Sequence, residues 1–303
     1  GHILGSSFVD IKTMHQGEVR KIVFSGALRR PAKPILRDPV QPFEVDYLIL
    51  ESTYGKRLHQ NNTPTEDLAA VVNASVKRGG VLVIPSFAVG RTQELLYTLR
   101  QLEEDREIPS LPVYVDSPMA IDTTTVFEKN KGYYGLVAKV LELRGTSILK
   151  PKKISFCRHR DQSKALNKIE ERAIIISASG MVTGGRILHH MRHRLPLSQD
   201  TILFIGYQAE GTRGRTILDK DPTVRLHGRD IPIKAQVENI SGFSAHADYN
   251  EILAWLIGFN RAPKKTFIVH GEPDASASLA EKITERLGWN VVVPKFQESF
   301  TLE

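Results

Sequence analysis

The feature that most constrains the fold of this chain is a regular alternation of short apolar segments with helical segments. Residues 81–84 form an apolar run typical of a buried strand, residues 91–102 carry leucines at helical spacing, and residues 112–116 predict another strand, ending in Asp116. The same alternation returns between residues 249 and 293. It predicts an α/β protein whose mainly parallel sheet is covered by helices on both faces.

One predicted helix carries a signal at each end. Thr63 can act as its N-cap, Pro64 suits the first turn, and Glu66 can complete a capping box. The helical pattern continues to Lys77 and is followed by Gly79. We therefore expect a helix that opens at residues 63–66, runs to Lys77 and stops at Gly79-Gly80.

Size and composition narrow the class of protein. A chain of 303 residues can bury a large core and hold two domains, and its net charge of +7 favours a polyanionic partner such as nucleic acid. The single cysteine, Cys157, excludes an intrachain disulfide and is predicted to be a buried strand thiol. No apolar run is long enough to span a membrane and no signal peptide is present, so we expect a cytoplasmic protein.

Three histidines occur in stretches rich in small residues. His246 lies in residues 241–248, and His270 follows an apolar run that predicts a strand ending at this histidine. Loops at strand ends converge on shared crevices, and Gly271 allows another group to approach the backbone closely. A single histidine of this kind is more often structural, but the third, His2, shifts the interpretation towards a shared site.

A loop rich in small residues follows the predicted strand at residues 174–177. Ser179 and Gly180 open this loop, and Arg186 lies at its end. Backbone N–H groups in such a loop can hold a phosphate, with Arg186 adding positive charge. A tight loop without a ligand explains the same residues, so both interpretations stay open.

A histidine cluster lies just beyond this loop. His189 and His193 are about one helical turn apart, with His190 beside them. This spacing suits a pair of metal ligands. No carboxylate or cysteine joins them nearby, so a polar helix face is the favoured interpretation.

Several short motifs occur in one order along nearly the whole chain. They are His2-Ile3-Leu4-Gly5-Ser6 after Gly1, Phe24-Ser25-Gly26, Glu51-Ser52-Thr53-Tyr54-Gly55, Pro85-Ser86-Phe87-Ala88-Val89-Gly90-Arg91, Asp116-Ser117-Pro118-Met119, Ser179-Gly180-Met181, Phe243-Ser244-Ala245-His246-Ala247-Asp248 and His270-Gly271-Glu272. Together they resemble the β-CASP branch of the metallo-β-lactamase superfamily. This branch comprises RNA-processing nucleases, among them the endonuclease subunit of the pre-mRNA 3′-end cleavage machinery and its bacterial and archaeal relatives.

The resemblance implies a particular domain organisation. Residues 1–55 and 241–303 would form a metallo-β-lactamase domain that is incomplete at its N-terminus. Residues 56–240 would form a β-CASP domain inserted into it. The chain opens inside a motif at Gly1, so we expect a further segment before it.

The resemblance also implies an activity and the residues that carry it. The expected protein is a zinc-dependent ribonuclease that hydrolyses phosphodiester bonds of single-stranded RNA, with two zinc ions activating water and clamping phosphoryl oxygens. A homodimer is one assembly to test. The implied roles are His2 and His270 as metal ligands, His246 as general acid for the leaving oxygen, Glu51 as the carboxylate that orients His246, and Ser179, Gly180 and Arg186 as contacts to substrate phosphate.

Two departures from the family pattern concern the metal ligands. The family's His-x-His-x-Asp-His motif does not occur in this chain. Ala27 stands where the family has the aspartate that bridges the two metals, and Arg29 stands where it has a glycine. The alanine side chain has no donor atom for zinc, and nothing in the sequence places the nearby Asp38 at the metals.

These departures leave three hypotheses. The intact Glu51, His246 and His270 favour a zinc-dependent ribonuclease, impaired in this chain. Ala27 favours a catalytically inactive relative that binds RNA or a nuclease partner. A hydrolase of a small phosphoester or thioester is the third, and the β-CASP insert argues against it because in the family that insert walls an RNA-sized groove.

Overall fold

The computed structural model describes residues 2–42, 44–59, 63–145, 147–170 and 172–302, so Gly1 of the first motif lies outside the described residues. The chain forms two compact units. One comprises Gly1–His59 and Ala245–Glu303, and the other comprises Gln60–Ser244. The chain thus leaves the first unit and returns to it. Assignment of the units to the two domains expected from the sequence stays a prediction.

Strands and helices alternate along most of the described chain. The strands are β1 Val9–His15, β2 Glu18–Phe24, β3 Tyr47–Glu51, β4 Val81–Pro85, β5 Pro112–Val115, β6 Lys153–Phe156, β7 Ala173–Ser177, β8 Thr201–Phe204, β9 Thr223–Leu226, β10 Arg229–Pro232, β11 Gln236–Asn239, β12 Lys265–Val269 and β13 Val291–Val292. The helices are α1 Pro64–Arg78, α2 Arg91–Glu104, α3 Pro118–Lys129, α4 Leu136–Leu143, α5 Arg160–Leu166, α6 Ile187–Arg194, α7 Arg213–Leu218, α8 Tyr249–Ile257 and α9 Pro273–Leu287. No helix among the described residues combines the length and apolarity needed to cross a membrane.

The first unit is built on a five-stranded sheet. Its strand order is β1-β2-β3-β12-β13, with β1 antiparallel to β2 and every other pair parallel. Leu48 and Leu50 of β3 and Ile268 of β12 pack in one core with apolar residues of α8 and α9. The carboxyl ends of β3 and β12 are neighbours, because Glu51 pairs with Val269 in the parallel register.

The second unit is built on a six-stranded sheet in which every pair is parallel. Its order is β11-β8-β4-β7-β5-β6, and β9 and β10 form a separate antiparallel pair. Leu82 and Ile84 pack with the leucines of α2, whereas Val81 and Val83 pack with residues of α6 and α7. Successive side chains of a strand point to opposite faces, so helices cover both faces of this sheet, as predicted.

Helix α1 shows one boundary as predicted and one that differs. Its C-cap is Gly79 in the left-handed conformation with φ of 82°, which confirms the predicted stop. The predicted capping box is wrong. The Thr63 hydroxyl donates to the Glu66 carboxylate and accepts no hydrogen bond from a helix N–H group.

Cys157 directly follows β6 and is buried, as the sequence predicts for a structural thiol. Burial raises the pKa of this thiol to about 11. A thiol with that pKa stays protonated at neutral pH and is a poor nucleophile.

Candidate active site

The candidate site of the first unit is organised around Glu51, the last residue of β3. Its side chain is only 3% exposed, and His246 Nδ1 lies 3.3 Å from its Oε1 atom. The backbone N–H of Leu28 donates to Oε1 at 2.5 Å, and the Thr53 hydroxyl donates to Oε2 at 2.5 Å. The Thr53 backbone N–H also donates to Oε2 at 3.3 Å, so donors from three residues converge on one buried carboxylate.

These contacts favour an ionised Glu51 and a proton on His246 Nδ1. Burial opposes ionisation of Glu51, but the hydrogen bonds from His246, Thr53 and Leu28 outweigh it and hold the pKa below its ordinary value. An ionised carboxylate only accepts hydrogen bonds, so His246 Nδ1 carries a proton. The remaining ring nitrogen, Nε2, is then the atom that can exchange a proton with a substrate. His246 is 23% exposed, so solvent reaches its side chain.

The backbone of His246 is held by a short antiparallel bridge to Arg29. The Arg29 side chain is buried, and its guanidinium donates to the carbonyls of Pro34, Leu36 and Arg37. The arginine that departs from the family pattern thus ties residues 34–37 to the bridge at His246. Two backbone hydrogen bonds flank the bridge, from Ala247 N to Leu28 O and from Arg30 N to Ala245 O, each of 3.0 Å.

The two predicted metal ligands lie next to this pair. The His2 ring centroid is 4.2 Å from that of His246. His270 Nδ1 is 3.3 Å from the Thr53 hydroxyl, which also binds Glu51. His2 therefore lies next to the histidine that binds Glu51, and His270 lies next to the hydroxyl that donates to Glu51.

Gly271 explains how the turn after His270 comes so close to β3. A Cβ atom at this position would lie 2.3 Å from the Ser52 hydroxyl and 2.7 Å from the Ser52 carbonyl oxygen. Only glycine fits that approach, which confirms the close backbone contact expected from the sequence.

The described residues do not complete a zinc site around His2 and His270. Zinc sites use three or four protein ligands. Among the described residues, the only three ligand atoms of His, Cys, Asp or Glu within 4.8 Å of one another belong to His59, Asp248 and Glu251. Ala27 offers no donor, and Asp38 accepts a hydrogen bond from the Ala32 backbone at 2.8 Å. Metal coordination by His2 and His270 thus stays a prediction.

The loop predicted to contact phosphate belongs to the second unit. The Ser179 hydroxyl accepts hydrogen bonds from Thr183 N at 3.0 Å and from Gly184 N at 3.3 Å. Two backbone N–H groups that could hold a phosphate are therefore used inside the loop. A Cβ at Gly180 would lie 2.9 Å from the Phe87 ring, so the loop also packs tightly there. These contacts favour a tight loop, and phosphate binding by Ser179 and Gly180 stays a prediction.

Arg186 is held by acceptors of its own unit. Its Nη1 atom donates to Asp116 Oδ1 and to the Cys157 carbonyl, each at 2.7 Å, and its Nη2 atom donates to the Arg158 carbonyl at 2.8 Å. The guanidinium thus ties the end of the loop to the residue that follows β5 and to the segment after β6. A direct contact of Arg186 with substrate phosphate stays a prediction.

Asp116 is the centre of a polar network that the sequence did not reveal. Its Oδ2 atom accepts from the Ser163 hydroxyl at 2.6 Å and lies 2.7 Å from His190 Nε2. Burial opposes ionisation of Asp116, but hydrogen bonds from His190, Ser163 and Arg186 lower its pKa below the ordinary value.

The interpretation of residues 189–193 as a polar helix face is wrong for His190, whose side chain is fully buried. His189 and His193 are exposed as expected. Helical spacing could have found the difference. His190 comes three residues after Ile187 and directly before Met191, both buried, and so lies on the core face of α6.

His59 is a further residue that sequence reasoning missed. Its side chain is 6% exposed, and its Nε2 atom lies 2.9 Å from the carbonyl oxygen of His246. Nothing in the local sequence marks this contact, since the two residues are 187 positions apart.

Fold and site together define an α/β protein with a buried carboxylate and a histidine at the carboxyl end of a sheet. Residues 92–217 match the family model of the Beta-Casp domain. Residues 230–294 match the model of the Zn-dependent metallo-hydrolase RNA specificity domain.

Curated relatives agree with these models. The chain is 35% identical over 299 residues to Ribonuclease TTHA0252 of Thermus thermophilus, covering 98% of this chain and 67% of that protein. It is 30% identical to the RNase J-like protein of Methanocaldococcus jannaschii, covering 97% of this chain and 67% of that protein. It is also 30% identical to Transcription termination factor FttA of that organism, with 97% of this chain and 47% of that protein covered. The chain belongs to the β-CASP family of the metallo-β-lactamase superfamily, and zinc is the metal that the second family model indicates.

Proposed function

We propose that this chain is a metal-dependent ribonuclease of the β-CASP type that binds single-stranded RNA and hydrolyses phosphodiester bonds. The observation that carries the proposal is the hydrogen bond between Glu51 and His246, which joins a buried carboxylate to a partly exposed imidazole. The printed names of the relatives, two of which denote ribonucleases, support the substrate class.

In this proposal His246 is the general acid. As a water oxygen bonds to phosphorus and gives up a proton to solvent, the P–O bond to the leaving ribose oxygen breaks, and the Nε2–H of the imidazolium transfers its proton to that oxygen. The Glu51 carboxylate holds Nδ1–H, fixes the ring orientation and stabilises the positive charge before transfer. General acid catalysis of this kind contributes roughly 10²–10⁴-fold to a rate.

Charge supports an RNA substrate. A net charge of +7 attracts a polyanion, and we propose that Ser179, Gly180 and Arg186 contribute to the phosphate-binding surface of the second unit. Contact by Ser179 and Gly180 requires the N–H groups of the loop to exchange internal partners for phosphate oxygens.

We further propose that this polypeptide cleaves RNA weakly, because Ala27 replaces a metal-bridging aspartate and the described residues do not complete a zinc site. A complete family site would hold two zinc ions. The same observations favour the second candidate function, a catalytically inactive protein that binds RNA or a nuclease partner.

A cytoplasmic location and a homodimer stay predictions, and sedimentation would test the homodimer.

Zinc content per chain, measured together with cleavage and binding of a labelled single-stranded RNA, tests the proposal. We expect RNA binding, little zinc and slow cleavage. Ala27→Asp should raise both the zinc content and chelator-sensitive cleavage, whereas Ala27→Leu, which adds no donor, should raise neither. Robust chelator-sensitive cleavage by the parent would contradict weak activity, and RNA binding without cleavage in every variant would favour the inactive binder. Competition of a small phosphoester with RNA would revive the third hypothesis.

A further inference from the structure

His59 contacts the carbonyl of His246, which the hydrogen bonds flanking the bridge to Arg29 do not use. In the bridge between Arg29 and His246, the two hydrogen bonds use the backbone of Ala245 and Ala247 on either side of the histidine. The carbonyl of His246 meets His59 Nε2 at 2.9 Å instead. A carbonyl oxygen only accepts, so Nε2 of His59 carries the proton and donates it.

A second contact fixes His59 to the helix that follows His246. The backbone N–H of His59 donates to Asp248 Oδ2 at 3.0 Å. Asp248 is the N-cap of α8, and its Oδ1 atom accepts from Glu251 N at 2.9 Å. Glu251 completes the capping box and forms an ion pair with Arg30 at 3.0 Å. His59 is therefore anchored to a rigid helix start.

We propose that His59 is a positioning residue for His246. Arg29 and its neighbours hold the histidine backbone on one side, and His59 holds its carbonyl on the other. Together they fix the rotation of the peptide unit from which the imidazole reaches Glu51 Oε1 at 3.3 Å. His59 acts through the backbone and does not contact substrate in this proposal, whose consequence for catalysis rests on the proposed function.

The same three side chains, His59, Asp248 and Glu251, have ligand atoms close enough for a cation. Their hydrogen bonds favour the positioning role. Nε2 of His59 donates to a carbonyl and so has no lone pair to offer there, while both carboxylates accept N–H groups of the protein. The cluster is already satisfied by internal donors.

The proposal is tested by nitrogen-detected NMR of the histidine rings, a readout independent of metal and cleavage. The Nδ1–H of His246 gives a slowly exchanging resonance while it is held on Glu51, and His246→Gln identifies it by its loss. His59→Gln keeps an amide donor near the Nε2 position. His59→Phe keeps the ring that packs 5.4 Å from Tyr54 but removes the donor.

We expect His59→Phe to lose the His246 Nδ1–H resonance and His59→Gln to keep it. Where cleavage is measurable, kcat should fall about tenfold or more in His59→Phe with KM unchanged, because small misplacements of a catalytic group are costly. Retention of the resonance in both variants, or its loss in both, overturns the proposal. If His59→Phe fails to fold, His59→Asn serves in its place, since its shorter amide does not reach the carbonyl.

These outcomes separate the positioning role from the function. A resonance that depends on His59 in a protein without ribonuclease activity would contradict the proposed function but support the positioning of His246. Zinc or cobalt binding that His59→Gln abolishes would show that the cluster is a cation site and would overturn the proposal.

Discussion

The two units each hold a buried carboxylate paired with a histidine, and the pairs differ in what surrounds the ring. Glu51 holds His246 at 3.3 Å, and Asp116 holds His190 at 2.7 Å. His246 is 23% exposed, whereas His190 is fully buried and Asp116 also binds Arg186. A carboxylate–imidazole pair is therefore not by itself a catalytic signature. In the proposed function, the exposure of the imidazole side chain distinguishes the proton donor His246 from the structural clamp His190.

The largest expected effect separates the two histidines by activity. His246→Gln should lower the initial rate of RNA cleavage by roughly 10²–10⁴-fold, because proton delivery to the leaving oxygen is lost. His190→Gln should leave the rate per folded molecule nearly unchanged. Cleavage of a labelled RNA, normalised to folded protein, measures both. Equal losses in the two variants would remove the functional distinction between the pairs.

The next effect concerns the stability that the Asp116 carboxylate gives to the second unit. Asp116→Ala leaves Arg186 without its carboxylate partner, and breaking a buried ion pair in this way costs about 3–5 kcal/mol of unfolding free energy. Urea denaturation measures the change. Asp122→Ala is the matched control, because its ion pair with Arg158 is exposed, and we expect no measurable change in the midpoint. A small change in Asp116→Ala would mean that the network does not stabilise the second unit.

A smaller effect tests the packing of the loop that ends at Arg186. Gly180→Ala should cost about 1–3 kcal/mol, because the new methyl group meets the Phe87 ring at 2.9 Å. Gly184→Ala in the same loop meets nothing within 4 Å and should be close to neutral. RNA affinity measured alongside urea denaturation then tests the predicted phosphate contact. Weaker RNA binding in Gly180→Ala alone would support it, and unchanged binding in both would speak against it.

The smallest effect concerns how the unfolding free energy contributed by Glu51, in its pair with His246, depends on pH. The pKa of Glu51 is lowered in the folded state from its ordinary value of 4.5, so the ionised group adds stability above that pH. This contribution is lost as the pH falls through the lowered folded pKa. The difference in unfolding free energy between the parent and Glu51→Gln should therefore narrow below pH 4.5. Glu281→Gln, on an exposed position of α9, is the control and should show no such narrowing. A difference that is constant with pH would show that Glu51 is not ionised as described.

Much of the fold could be predicted from the sequence, because its signals are local. The continuous apolar run at Val81–Pro85 marks a strand buried on both faces, and Gly79 marks the end of α1. The motifs also pointed to Glu51 and His246, and the structure joins them by a hydrogen bond across 195 positions of sequence. Val9–His15 was missed because it is an edge strand whose apolar side chains Val9, Ile11 and Met14 are exposed, so no buried apolar run marks it.

What the sequence by itself determined is the alternation of strands and helices, the family, and the choice of Glu51, His246, His2 and His270 as candidate residues. Only the tertiary structure decided how donors and acceptors are used. It ties Arg186 to Asp116 and backbone carbonyls, closes the loop on the Ser179 hydroxyl, and brings His59 Nε2 to 2.9 Å from the His246 carbonyl oxygen. The physical reason is that a helix or strand period is written in neighbouring residues, whereas the partner of a buried polar group is chosen by whatever distant segment the fold brings within about 3 Å.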